Sequence, residues 1–148
     1  MFAIDTNILV YAHNLDSPRF QKAAGFIERV IRQSGERNGH HVVGIPLQVC
    51  VEFINVITRK TIEQPLSLPE AVEIIRDYAE IVQAPVIFPK PTQLQTFLGL
   101  LEITTTRKKI FDVALAATLK DNGVAGLYTV NVDDFQEFDF LQVINPLV

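Results

Sequence analysis

Phe2-Ala3-Ile4-Asp5-Thr6-Asn7, which follows Met1, is a short apolar strand that runs directly into three polar residues. Four further short apolar segments follow this strand, and most of them are separated by stretches with helical periodicity. Strands that alternate with helices are typical of a parallel sheet covered by helices on both faces. The sequence therefore predicts an α/β fold, with strands at 2–4, 42–45, 86–88, 127–130 and 143–144.

The helices between these strands carry recognisable start signals. Ser17 followed by Pro18 predicts an N-cap and a first helical residue. Ser67 and Glu70 have the spacing of a capping box, with a helix that continues towards Val82. Further helices are predicted over 46–60, 94–103 and 111–121.

Composition restricts the class of protein. The chain has 148 residues, which predicts one domain over 1–148, and 48% of them are hydrophobic and 20% charged, as in an ordinary globular protein. No apolar run is long enough for a membrane span, and the first residues lack the features of a leader peptide, so we expect a cytoplasmic protein. The net charge of −4 argues against a protein that coats nucleic acid, although local basic patches remain compatible with it. We interpret the single cysteine, Cys50, as a core residue.

Carboxylates at strand ends are the first candidate functional residues, because ligands bind outside the carboxyl ends of parallel strands. Asp5 closes the first strand, and Asp112 lies in the first turn of a predicted helix. For both residues helix capping is the simpler interpretation of the position taken alone. The run Arg107-Lys108-Lys109 precedes Asp112; such a run is usually a solvated loop, but here it also suits the phosphate oxygens of a substrate.

Glu52 belongs to a polar stripe on an otherwise apolar helix. Gln48, Glu52, Asn55 and Arg59 are spaced by four, three and four residues, which places them on one helix face. A stripe that simply faces solvent and a stripe that faces a metal-bearing cleft explain this pattern about equally well.

The segment from Tyr128 to Phe135 also has two interpretations. Its polar residues Thr129, Asn131, Asp133 and Asp134 favour either a turn or a functional strand end.

Taken together, these features resemble the PIN-domain family, and specifically the VapC-type toxins of bacterial and archaeal toxin–antitoxin pairs. The resemblance covers nearly the whole chain in the expected order. It is carried by Ile4-Asp5-Thr6-Asn7-Ile8-Leu9, by Glu52, by Phe111-Asp112-Val113-Ala114-Leu115-Ala116-Ala117, and by Tyr128-Thr129-Val130-Asn131-Val132-Asp133-Asp134-Phe135.

The resemblance implies a three-layer α/β/α sandwich with a mainly parallel central sheet. It also implies a homodimeric endoribonuclease dependent on Mg²⁺ or Mn²⁺, inhibited by a small antitoxin protein. The chemistry agrees, because carboxylates without cysteine or histidine suit these hard ions. Asp5, Glu52 and Asp112 would hold the metal, while water attacks the phosphorus and leaves a 5′-phosphate and a 3′-hydroxyl. Thr6 and Asn7 would support the site together with Thr129 and Asn131.

One position departs from the family pattern. Many members carry a fourth acid where this chain has Asn131, and an amide oxygen brings no charge. Asp133 or Asp134 can supply a carboxylate nearby, and Asp134 matches the Asp-Phe element of the family. We therefore include Asp134 in the predicted catalytic set and expect one firmly held ion, with a second only when RNA contributes phosphates.

Two other functions remain as alternatives. One is a catalytically weak PIN-like module that binds RNA or protein. The other is a phosphatase or phospho-acceptor domain, which the lack of an Asp-x-Asp start and of a Gly-rich phosphate loop disfavours.

The apolar stripe Ala23-Phe26-Ile27-Val30-Ile31 suits a partner groove or dimer face, although a position in the core is the simpler interpretation.

Overall fold

A computed structural model describes residues 1–36, 42–81, 83–104 and 109–148. Its five strands are β1 (Phe2–Ile4), β2 (Val43–Pro46), β3 (Val86–Ile87), β4 (Gly126–Tyr128) and β5 (Gln142–Ile144). Its helices are α1 (Thr6–His13), α2 (Phe20–Glu36), α3 (Leu47–Ile57), α4 (Leu68–Glu80), α5 (Gln93–Ile103) and α6 (Ile110–Asp121). A 3₁₀ turn at Val132–Asp134 lies between β4 and β5. No helix in these ranges is both long and apolar enough to cross a lipid bilayer.

The strands form one sheet in the order β3-β2-β1-β4-β5, and every neighbouring pair is parallel. The chain moves outward from β1 through β2 to β3 and then returns to pair β4 with the other side of β1. Because crossover connections are right-handed, this reversal puts α1 to α4 on one face and α5 with α6 on the other. The predicted α/β/α sandwich is confirmed. The reversal also opens a crevice between the carboxyl ends of β1 and β4, the usual ligand position in such sheets.

The core lies between the sheet and its helices, and it absorbs the apolar stripe of α2. Ala23, Phe26, Ile27 and Val30 are all buried, and Ile31 packs against the same cluster. The core interpretation of this stripe is therefore confirmed, and it is not a partner groove. The exposed large apolar side chains lie elsewhere, including Leu94 and Leu98 on α5 and Phe111 at the start of α6.

Helix boundaries differ from prediction in ways that local contacts explain. The Ser67–Glu70 capping box is confirmed, with both reciprocal hydrogen bonds formed. Ser17 instead organises a turn, because its hydroxyl accepts the backbone N–H of Arg19 and α2 begins only at Phe20. α3 ends at Ile57 rather than near Lys60, since Thr58 closes it. The predicted end of α4 at Val82 lies outside the described residues.

Candidate metal centre

Asp5 lies at the crevice between β1 and β4 and serves two purposes. Its Oδ1 accepts the Thr6 N–H at 2.7 Å, so Asp5 is the N-cap of α1, as its position suggested. Its Oδ2 accepts the hydroxyl of Thr129 at 2.8 Å from the end of β4. The carboxylate is buried, and burial together with the nearby charge of Glu52 raises its pKa despite these hydrogen bonds. Capping and site interpretations are therefore compatible for this residue.

Thr129 and Asn7 form the polar network beneath Asp5. The fully buried Thr129 hydroxyl accepts the amide of Asn7 at 3.2 Å and the backbone N–H of Asn131 at 3.0 Å. The side-chain oxygen of Asn7 accepts the Val130 N–H at 3.2 Å. Because a buried hydroxyl with both acceptor and donor roles satisfied cannot rotate freely, Thr129 fixes the direction of the Asp5 carboxylate.

Glu52 projects from α3 towards the same crevice. Its Oε2 accepts the hydroxyl of Thr6 at 2.8 Å, and its Oε1 accepts the amide of Gln48 at 3.1 Å. The same Gln48 amide reaches the Phe111 carbonyl at 2.9 Å and so ties α3 to the start of α6. Asn55, the next member of the predicted stripe, is exposed. Of the predicted stripe, Gln48 and Glu52 are thus joined by a hydrogen bond, whereas Asn55 and Arg59 are exposed.

Asp112 lies in the first turn of α6, as predicted, but it does not cap the helix by a side-chain hydrogen bond. Burial and the charges of Asp5, Asp134 and Glu52 raise its pKa to about 6, while Lys109 opposes this shift. No described residue donates a hydrogen bond to its carboxylate, and Lys109 offsets only part of the repulsion. A cation between these carboxylates would relieve it.

The carboxylates of Asp5, Glu52 and Asp112 line a common cleft of about 300 Å³, which we call the acidic cleft. Its walls are Asp5, Thr6, Asn7, Val10, Tyr11, Glu52, Val56, Asp112 and Asn131. Within the described ranges, no three acidic, histidine or cysteine side chains are already gathered closely enough to ligate one ion. Hydrogen bonds to Thr6, Gln48 and Thr129 hold two of the three carboxylates in their present positions.

Asp134 is close to this cleft but does not line it. It ends the 3₁₀ turn, and its Oδ2 lies 3.3 Å from Nζ of Lys109. Asp134 and the exposed Asp133 instead border a second hollow of about 380 Å³, which shares Asn131 with the acidic cleft. Among the predicted substrate-binding cations, Lys109 is thus paired with an acid, and Arg107 and Lys108 lie outside the described residues.

The family model described as the PIN domain matches residues 2–141. The chain belongs to the PIN-domain family. Ribonuclease VapC24 of Mycobacterium tuberculosis (strain ATCC 25618 / H37Rv) is 30% identical over 148 residues, which are 99% of this chain and 97% of VapC24. The alignment with VapC24 therefore covers the matched PIN domain along its length, and not only the residues that line the acidic cleft.

Solved structures share the fold at lower identity. The crystal structure of VapC20 from M. tuberculosis, described as a toxin that cleaves the sarcin–ricin loop, aligns with a TM-score of 0.63 and 16% identity over 95% of this chain and 92% of VapC20. VapBC2 from Rickettsia felis, bound to a fragment of promoter DNA, aligns with a TM-score of 0.62 and 16% identity over 97% and 98%. The fold of this chain is therefore shared with both structures.

The donor chemistry of this PIN domain fits a hard divalent cation. Asp5, Glu52 and Asp112 offer carboxylate oxygens, Asn131 adds an amide, and among the described residues no cysteine or histidine lines the cleft. Mg²⁺ and Mn²⁺ prefer such oxygen ligands and retain several waters, which the cleft has volume to hold. The polar stripe included Gln48 but did not indicate its hydrogen bond to Glu52, and no predicted feature included Tyr11. The four-residue spacings Gln48–Glu52 and Asn7–Tyr11 were the available signals.

Proposed function

We propose that this PIN domain is a Mg²⁺- or Mn²⁺-dependent endoribonuclease that hydrolyses RNA phosphodiester bonds. We further propose that it is the toxin of a type II toxin–antitoxin pair and acts on cellular RNA in the cytoplasm. The observation that carries the proposal is that Asp5, Glu52 and Asp112 line one cleft at the strand-end crevice of a PIN domain. The 30% identity to ribonuclease VapC24 over almost the full length supports it.

In this proposal Asp5, Glu52 and Asp112 hold the ion, and Asn131 and Asp134 contribute to the polar surroundings. The bound ion supplies charge stabilisation for the phosphate and activates water for hydrolysis. Asp5 receives its direction from Thr129 and the Thr6 N–H, and Glu52 from Thr6 and Gln48. In the proposed reaction water attacks the phosphorus, the bond to the 3′-oxygen breaks, and the RNA 2′-hydroxyl takes no part, so the products should carry a 5′-phosphate and a 3′-hydroxyl.

The test is RNA cleavage by purified protein with Mg²⁺, Mn²⁺ or a chelator, comparing the wild type with the Asp5→Asn variant. Cleavage should need the ion, and Asp5→Asn should abolish it while the circular dichroism spectrum stays native. Asp133→Asn is the matched control, because Asp133 is an exposed acid that lies outside the acidic cleft. A folded Asp5→Asn variant that cuts RNA at the wild-type rate would falsify the metal-site assignment.

We also propose protein partners, namely a small antitoxin and a second copy of the chain. Leu94 and Leu98 lie one helical turn apart on α5 with 65% and 49% of their surfaces exposed, and Phe111 is 76% exposed. Exposed large apolar side chains such as the neighbouring pair Leu94 and Leu98 are typical of interaction surfaces. Sedimentation of the wild type and of Leu98→Glu tests this proposal: the wild type should sediment as a dimer, and the variant should shift towards the monomer.

A catalytically weak module that binds RNA or protein is the second candidate function. The neutral Asn131 in the cleft favours it, because one charge fewer weakens metal binding. This candidate expects RNA binding without metal-stimulated cleavage. The cleavage assay therefore separates the two functions directly.

A further inference from the structure

Tyr11 forms part of the rim of the acidic cleft. It lies on α1 four residues after Asn7, so both side chains share the helix face that borders Asp5. Tyr11 also packs against the hydrophobic core, which restrains its ring. Tyr11 thus gives the cleft an aromatic wall beside its carboxylates.

Arg19 is exposed and held against this aromatic wall. Its guanidinium carbon lies 5.1 Å from the centre of the Tyr11 ring, and its Nη1 donates a 3.4 Å hydrogen bond to the Tyr11 hydroxyl. Its backbone N–H donates to the Ser17 hydroxyl at 3.1 Å, which fixes the turn before α2. Because an arginine that is already restrained loses less rotamer entropy on binding, this arrangement favours ligand binding by the guanidinium.

The charged groups near the cleft differ in whether they are already engaged in ion pairs. RNA must bring its phosphates close to Asp5, Glu52 and Asp112, which repel them. Lys109 is engaged by Asp134 at 3.3 Å, whereas Arg19 makes no ion pair with any carboxylate in the described ranges. Within those ranges its guanidinium donates only to Tyr11, so its other N–H groups remain available to an anion.

We propose that Arg19, positioned by the ring of Tyr11, binds a backbone phosphate of the RNA at the rim of the acidic cleft. This inference rests on the proposed function, because it assumes that RNA enters the cleft. A guanidinium suits phosphate through charge-assisted hydrogen bonds, and a backbone contact carries no sequence preference. Arg19 thus contributes affinity and register for RNA, and Tyr11 is a positioning residue.

The test measures binding of a fluorescein-labelled, mixed-sequence, ten-nucleotide single-stranded RNA by anisotropy. All variants are built on Asp5→Asn, so that the RNA stays intact. Arg19→Gln should weaken binding about fivefold to tenfold, as expected for one charge-assisted contact. It should also reduce the slope of log Kd against log salt by about 0.7, the value for one phosphate on a single strand.

Arg29→Gln is the matched control. Arg29 is also exposed and lies 5.9 Å from the centre of an aromatic ring, but that ring belongs to Phe26, which is buried in the core and, unlike Tyr11, does not line the cleft. It should leave both the affinity and the salt slope unchanged. Equal effects of Arg19→Gln and Arg29→Gln, or no measurable RNA binding by any variant, overturn the inference.

The role of Tyr11 is tested by a double-mutant cycle with Tyr11→Leu, which keeps an apolar contact with the core. Tyr11→Leu should weaken RNA binding when Arg19 is present and have no further effect when Arg19 is glutamine. A purely structural role for Tyr11 gives the same loss in both backgrounds and contradicts the positioning role.

Cleavage assays in the chain with Asp5 intact keep this inference separate from the proposed function. Arg19→Gln should raise KM about fivefold to tenfold and leave kcat within about twofold. Absence of metal-dependent cleavage by the wild type contradicts the proposed function. The anisotropy comparison then still decides whether Arg19 contacts RNA.

Discussion

The Thr129 hydroxyl donates a 2.8 Å hydrogen bond to Oδ2 of Asp5, and this bond joins the ends of β4 and β1 inside the protein. The two residues are 124 positions apart in the chain, and the pairing of β1 with β4 brings them together. The same hydroxyl receives the Asn7 amide, so one buried threonine links a helix, two strand ends and the central carboxylate. Orientation of the proposed metal ligand therefore depends on the topology of the sheet.

Replacing Thr129 by valine should separate orientation from packing, since valine keeps the shape but removes the hydroxyl. We expect metal-dependent cleavage to fall about tenfold or more, as with other residues that orient a metal ligand. The free energy of unfolding should fall by about 1–2 kcal/mol, because Asp5 and Asn7 lose a buried partner. Thr129→Ser restores the hydroxyl and should recover most of the activity. Equal activity of the valine and serine variants would contradict the orienting role.

Removing the Gln48 amide should weaken metal binding through Glu52. Gln48→Ala deletes the donors to Glu52 Oε1 and to the Phe111 carbonyl, which leaves Glu52 less restrained and α6 less firmly attached. We expect the Mn²⁺ concentration for half-maximal cleavage to rise about tenfold. Asn55→Ala is the control, because Asn55 lies on the same helix but is exposed and outside the cleft. A matching rise in Asn55→Ala would attribute the effect to helix stability instead.

The raised pKa of Asp112 predicts how the metal-free protein responds to pH. In the folded chain this pKa is about 6, against an ordinary value of 3.8, so the folded state binds more protons than the unfolded state between these values. The contribution of Asp112 to stability without metal should therefore rise as pH falls from about 7 towards about 4. The pKa of Asp5 is raised as well and acts in the same direction.

Asp112→Asn tests this account by removing the charge. After allowance for solvent screening at a half-buried group, the variant should be more stable than the wild type at pH 7.5 by about 1 kcal/mol, or about 3 °C in Tm. At pH 4.5 the difference should shrink. Added Mn²⁺ should raise the Tm of the wild type much more than that of the variant. A variant less stable than the wild type at pH 7.5 without metal would contradict the charge repulsion at this position.

Much of the fold could be predicted because its signals are local. The apolar segments that became β1 and β3 and the Ser67–Glu70 capping box depend on neighbouring residues only. The start of α2 was wrong because Ser17 stabilises a turn through Arg19 instead of capping the helix directly. The residues around Ser17 are compatible with an N-cap and with a turn, and contacts with the rest of the chain determine which of the two forms.

The site was less predictable from residues alone, because its contacts are long-range. Asp5 had a capping explanation, and the structure shows that capping and a position in the cleft occur together. Gln48 was identified as a member of the polar stripe, but its bond to the Phe111 carbonyl depends on how α3 meets α6. The position of Arg19 over Tyr11 likewise depends on the turn between two helices, which periodicity cannot indicate.

Asn131 offers a gain-of-function test of the acidic cleft. It lines the same cleft as Asp112 and is exposed, so aspartate can replace it without a new buried group. The added carboxylate should lower the Mn²⁺ concentration for half-maximal cleavage about tenfold, through its attraction for the ion. It should also raise the pKa of Asp112 further, which shifts the activity profile towards higher pH.

The control for this gain is a second added charge nearby. Gln136→Glu places the same charge change on an exposed residue just after the 3₁₀ turn and outside the residues that line the cleft. If the whole effect is a general increase in negative charge, both variants will bind Mn²⁺ more tightly to the same extent. If Asn131 faces a bound ion, only Asn131→Asp will change the metal dependence, and isothermal titration with Mn²⁺ at low salt will measure the difference directly. Unchanged Mn²⁺ affinity in Asn131→Asp would show that the ion lies elsewhere, because a carboxylate beside it must strengthen binding.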